Sequence, residues 1–120
     1  MLELIAHLLG DYCLQSHVMA SRKTSSWRWA LLHAAIYTLP FLLLTRSPAA
    51  LLVIGGTHAV IDRYRLAAAW CRWYGVGHPG LWHRSETFEA PPAFLLVWLV
   101  IIVDNTAHLL INHVALALLG

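Results

Sequence analysis

The sequence predicts an all-α fold, a bundle of four transmembrane helices forming one polytopic membrane domain over residues 1–120. Three observations carry that expectation. Hydrophobic residues make up 59% of the chain and charged residues only 12%, about half of the roughly 25% charged fraction of an ordinary soluble domain. Mean hydropathy is +0.63. The apolar residues gather into four stretches, 1–20, 27–45, 48–73 and 91–119, each near the roughly 20 residues a helix needs to cross a bilayer. The length suits one compact unit better than two.

Each stretch has its own boundary signals. The first lacks a basic leader and a small-residue cleavage site, and it holds His7, Asp11 and Gln15 within its apolar run, so it reads as a span rather than a cleaved signal peptide. Ser25 and Ser26 can cap the second helix, and Pro40 should kink it. Ser47 and Pro48 open the third helix, while Pro91 and Pro92 fit the first turn of the fourth.

The cationic residues are placed unevenly. Arg22, Lys23 and Arg28 fall between the first two helices, and Arg63, Arg65, Arg72 and Arg84 lie at or beyond the end of the third; only Arg46 is on the other side. The positive-inside rule then puts both of those connections in the cytoplasm and both termini outside. A net charge of +2 conceals this asymmetry. Topology accounts for these charges better than a nucleic-acid partner does. Trp27, Trp29, Trp70, Trp73, Trp82 and Trp98 suit interfacial anchoring, with membrane lipid as the surrounding partner. Cys13 and Cys71 have neither metal nor disulfide spacing and read as reduced packing residues.

Three His/Asp pairs spaced four residues apart stand inside these apolar stretches: His7 with Asp11, His58 with Asp62, and Asp104 with His108. Residues four apart share a helix face, so each pair offers two convergent side chains. A carboxylate at mid-bilayer costs roughly 2.5–3.5 kcal/mol on insertion scales, so something must compensate these three. Glu3 and Gln15 extend the first stripe, Gly55 and Arg65 the third, and Asn112 the fourth; the second helix contributes His33, with Trp29 and Tyr37 on its face. Gly55 would let a neighbouring helix approach closely.

Imidazoles and carboxylates are metal ligands, and a cation would neutralise the buried anions. The expected ligands are His7, Asp11, His33, His58, Asp62, Asp104 and His108. Seven groups exceed one tetrahedral site and would suit two divalent ions sharing carboxylates. Without sulfur donors the candidates are zinc, manganese, iron or another transition metal. His33 and Asp62 are the expected catalytic residues, with Gln15, Asn105 and Asn112 as orienting groups. Two plainer readings stand beside this one: each Asp can satisfy its own His as polar glue between helices, or the groups form a proton or ion relay. His17 and His113 fall off the polar stripes and read as interfacial or packing residues; His78 and His83 fall in the Gly/Pro-rich connection over 75–92.

The runs His7-Leu8-Leu9-Gly10-Asp11-Tyr12, Leu14-Gln15, Leu32-His33-Ala34 and Tyr37-Thr38-Leu39-Pro40 resemble a family of small phage and bacterial membrane proteins, domain of unknown function 3307. Gly56-Thr57-His58, Ile61-Asp62-Arg63-Tyr64-Arg65, Pro91-Pro92, Val97-Trp98 and Ile102-Val103-Asp104-Asn105-Thr106-Ala107-His108 extend the resemblance over nearly the whole chain. It implies a phage or prophage origin and a bacterial inner membrane, and it transfers no activity. The connection over 77–86 looks longer and richer in histidine than that family would suggest. The pattern is also broadly similar to small bacterial membrane proteins labelled metal-dependent hydrolases.

The leading expectation is therefore an intramembrane metal-dependent hydrolase acting on a lipid-like or membrane-embedded substrate, with Arg63 and Arg65 offered to an anionic headgroup or serving only as interfacial anchors. One alternative is a non-enzymatic phage protein that assembles in or remodels the host envelope. The other is a divalent-cation or proton transporter, which would require a homo-oligomer because four helices make a narrow pathway.

Overall fold

A computed structural model describes residues 1–80, 89 and 91–120. The readings of Trp82, His83 and Arg84 lie outside the described residues. Within them the chain is all-α: α1 (Leu2–Leu8), a π-helical turn (Leu9–Cys13), α2 (His17–Arg22), α3 (Trp27–Thr38), a 3₁₀ turn (Leu39–Leu43), α4 (Pro48–Tyr64), α5 (Leu66–Tyr74) and α6 (Ala93–Leu119). Two compact units result, one comprising Met1–Tyr64 with His108–Gly120, the other Arg65–Ala107. Helix α6 supplies residues to both.

Two of the expected long helices are interrupted. The first leaves α geometry at Leu9, where the Leu14 N–H reaches the Leu9 carbonyl at 2.9 Å, a five-residue step that widens the turn around Asp11. It then stops at Ser16, whose extended backbone and hydroxyl, accepting from the Met19 N–H, start α2 afresh. The third breaks at Arg65, held at φ 52, a left-handed conformation that a side chain with a Cβ rarely adopts. Neither the stop at Ser16 nor the break at Arg65 has a glycine or proline beside it. At Pro40, where a kink was expected, the end of the second helix tightens into 3₁₀ geometry over Leu39–Leu43. Ser26 takes the N-cap position of α3, and the Ser47 hydroxyl accepts from the Ala50 N–H at the start of α4. Among the described residues, α6 alone is long and apolar enough to cross a membrane.

In the first unit α3 and α4 pack closely through small residues. Ala30, Ala34, Ala50 and Ala59 are buried, and a Cβ on Gly55 would lie 2.8 Å from the Thr38 methyl, so the glycine permits the approach. Gly10 does the same for the π turn: a Cβ there would stand 2.7 Å from the Tyr37 carbonyl. One end of this unit is filled by Ala6, Tyr37, Phe41, Ile54 and Ala115. Its interior also holds polar groups, with His7, His33, His58, His108 and Asn112 all at 1% exposure or less. Leucines and valines face outward instead, among them Leu2, Leu8, Leu31, Leu43 and Leu52.

In the second unit α5 buries Ala67, Ala68 and Cys71 and exposes Leu66, Trp70, Trp73 and Tyr74. Trp70 stacks on Tyr74 one turn later, with ring centroids 5.3 Å apart. Gly75, at φ 104, closes the helix in the left-handed conformation that suits glycine. Cys71 is buried and reduced, as its spacing suggested; Cys13, in the first unit, is reduced and exposed.

Candidate metal centre

Four side chains from three segments converge in the first unit. The π turn supplies Asp11, α3 supplies His33, and α4 supplies His58 and Asp62 one turn apart; all four are buried. His33 Nε2 lies 3.2 Å from Asp11 Oδ1 and 3.4 Å from Asp62 Oδ2. His58 Nε2 lies 3.7 Å from that Asp11 oxygen, 3.2 Å from that Asp62 oxygen and 3.0 Å from His33 Nε2. A tetrahedron with metal–ligand bonds of about 2.0–2.1 Å has edges of about 3.3–3.4 Å. The five distances bracket that edge, so these four atoms could hold one metal ion.

The chemistry of the set points the same way. Two imidazole nitrogens 3.0 Å apart, both directed at the same two carboxylates, form a donor set of the borderline kind that transition metals take. His58 is oriented from behind. Its Nδ1 meets His108 Nδ1 at 3.3 Å, so a proton on His58 Nδ1 donated to His108 leaves the His58 Nε2 lone pair facing the other three groups. His108 Nε2 in turn stands 3.9 Å from Asp62 Oδ1. Tyr37 lies flat against the His58 ring, with centroids 3.7 Å apart and planes 9° from parallel. Such support behind a ligand fixes its ring and its tautomer.

The other expected ligands are placed differently. His7 Nδ1 is 2.8 Å from the Tyr37 hydroxyl, and the Asn112 amide donates to that same oxygen at 2.6 Å. His7 therefore bonds to the Tyr37 that stacks on His58 and stands apart from the four converging side chains. The π turn explains the separation from Asp11, because the extra residue rotates the two side chains toward different neighbours. His108 stands beside His58 and Asp62. Asp104 stands one turn before His108 on α6 and belongs to the second unit. The Gln15 amide donates to the Asp11 carbonyl at 2.9 Å and stiffens the end of the π turn. Of the histidines read as peripheral, His113 is exposed and pairs with Glu3 at 3.1 Å, and His17 is exposed at the start of α2.

Two participants were not visible in the sequence. Lys23, at the C-terminal end of α2, brings Nζ to 2.7 Å from Asp62 Oδ2, 3.7 Å from Asp11 Oδ1 and 3.5 Å from His33 Nε2. In the sequence it reads as a topology marker, because its position in the chain says nothing of where its side chain reaches. Tyr37 stands out in the sequence only as a neighbour of His33 on its helix face. A spacing of four from His33 was the available signal, and its contact with His58 depends on the α3/α4 packing.

Arg63 is committed locally. Its guanidinium donates to the Thr24 carbonyl at 2.6 Å and lies 5.9 Å from the Trp27 ring and 5.7 Å from the Tyr64 ring. It thus ties the end of α4 to the turn that carries Lys23.

No curated protein and no solved structure matches the chain. A family model does: the one described as "Protein of unknown function (DUF3307)" aligns with residues 1–119, which include every residue of the centre, and the chain belongs to that family.

Proposed function

We propose that this chain is an intramembrane metal-binding protein that works as a metal-dependent hydrolase on a lipid-like substrate. The observation that carries the reading is the set of five ligand-to-ligand distances between 3.0 and 3.7 Å, grouped around the edge length of a tetrahedral transition-metal site. A divalent ion held there, zinc or a similar metal, supplies Lewis-acid polarisation and acidifies water. Asp11, His33, His58 and Asp62 hold it, and the two carboxylates balance its charge. His108 and Tyr37 keep the His58 ring in register.

Placement within a membrane, as a four-span bundle in a bacterial inner membrane, rests on inverted polarity. The first unit buries histidine, aspartate and asparagine while exposing leucine, opposite to what water favours. The best 18-residue window of α6 has a mean hydropathy of 2.1 and is only 6% buried. Helix α4, at 17 residues, is about 26 Å long at 1.5 Å per residue, close to the roughly 30 Å hydrocarbon thickness. Outward-facing Thr57 and Thr106 donate their hydroxyls to carbonyls of their own helices at 2.7 Å, which leaves no hydroxyl proton exposed to lipid.

A second reading, a metal-free polar core in a non-enzymatic membrane protein, draws on the 2.7 Å approach of Lys23 to Asp62, which neutralises one carboxylate without any ion. Elemental analysis of detergent-purified protein separates the two. Near-stoichiometric metal in the wild type and in His113→Ala, lost in His33→Ala and Asp62→Ala, supports the metal centre; a metal-free wild type rejects it. Release of product from a panel of phospholipids and prenyl pyrophosphates by the metal-loaded protein, abolished in Asp62→Ala, tests the hydrolase reading.

A further inference from the structure

Lys23 creates a charge imbalance that bears on what the centre accepts. Its side chain is 15% exposed and its ammonium stands over the face formed by Asp11, His33 and Asp62. Asp11 and Asp62 together carry two negative charges. A divalent ion among the four ligands cancels both, and Lys23 then leaves one positive charge at a largely buried position. An uncompensated charge in such surroundings is costly. Either the ammonium withdraws or an anion joins it.

Withdrawal is opposed by the local structure. Lys23 ends a helix of six residues, and the adjoining turn is fastened on both sides. The Lys23 and Ser26 N–H groups bond back to Met19 and Arg22. The Thr24 carbonyl is gripped by Arg63. The backbone under Lys23 is thus held near the centre, and a second cation, Arg63, already lies along the neighbouring turn.

Resting on the metal reading above, we propose that Lys23 makes this a joint site for a divalent ion and an oxyanion, with the phosphoryl group as the ligand class. A phosphoryl group presents several oxygens, so one can face the ion while another accepts from the Lys23 ammonium. The anion restores the charge balance and enters by the face that Lys23 covers. Lys23 is then the residue that selects phosphorylated substrates, while the four ligands select the ion. In the absence of anion, Lys23 instead competes with the ion for Asp62, so the two ligands bind with positive linkage.

The test uses cobalt(II), whose visible spectrum reports its coordination, titrated into detergent-purified wild type, Lys23→Met and Lys23→Arg with and without inorganic phosphate or dihexanoyl phosphatidate. In the wild type, either anion should tighten cobalt binding about tenfold or more and alter the cobalt spectrum. Lys23→Met should bind cobalt more tightly than wild type without anion and lose most of the anion effect; Lys23→Arg should retain it. An effect of phosphatidate alone assigns the phosphoryl group to a lipid headgroup, whereas an effect of both shows that the free group suffices. Anion linkage that is absent from wild type, or equal in wild type and Lys23→Met, overturns the proposal while leaving the metal centre standing. Failure of every variant to bind cobalt overturns the metal centre itself, and this inference with it. Size-exclusion profiles and melting curves show that the compared variants are folded.

Discussion

At the scale of single residues, the centre divides into groups that face the four-atom cage and groups that hold them. Asp11, His33, His58 and Asp62 face it; His108 touches His58 and Asp62 from the side. Truncation should therefore have graded effects. Removing a group that orients a ligand typically costs 10–100-fold in metal affinity, whereas removing a ligand opens the site. His108→Ala is expected to weaken metal binding by about that factor with stoichiometry retained at saturating metal, while His33→Ala should fail to saturate. Competition with a chromophoric chelator measures both, and equal losses in the two variants would place His108 among the direct ligands. The sequence identified Asp11, His58, Asp62 and His108 by spacing alone, because i to i+4 periodicity survives any arrangement of helices. It did not separate ligand from support, a distinction that depends on about 3 Å of side-chain reach.

At the scale of elements, the π turn over Leu9–Cys13 matters most. It gives Asp11 to the cage and His7 to Tyr37, where an uninterrupted α-helix would keep the two on one face. Gly10 lets that turn lie against α3. Gly10→Ala brings a methyl to 2.7 Å from the Tyr37 carbonyl and 2.8 Å from its ring, an overpacking that should cost about 1–3 kcal/mol and move Asp11 with it. A lowered melting temperature in detergent, accompanied by weaker metal binding, is the expected result; an unchanged melting temperature would show that the turn yields freely. The capping serine at Ser47 and the effect of Pro40 were legible because their chemistry is local. The breaks at Ser16 and Arg65 were not, since each falls in a short polar cluster, Gln15-Ser16-His17 and Asp62-Arg63-Tyr64-Arg65, that the longer apolar stretches on either side outweigh.

At the scale of the molecule, it is the first unit that turns polarity inward, burying histidine, aspartate and asparagine. Leu52 on α4 is 75% exposed, and in water a lysine there would change stability by no more than about 0.5 kcal/mol. In a bilayer the same substitution should cost about 2 kcal/mol or more. Comparing the unfolding of Leu52→Lys with wild type in lipid nanodiscs measures the difference, and a neutral result would argue that α4 is bathed in water.

Composition and periodicity by themselves determined that the chain is helical, that its helices are apolar outside, and that histidine and aspartate recur on their faces; these are properties of neighbours along the chain, fixed by the 3.6-residue repeat. Tertiary structure decided which of those faces meet. It brought Asp11 to His33 and His33 to His58 across separations of 22 and 25 residues, moved His7 apart from the four converging side chains through one widened turn, and carried Lys23 onto the carboxylates from a connection that reads as a topology signal. Contacts of that kind depend on helix packing and on the reach of a flexible side chain, and neither leaves a period in the sequence.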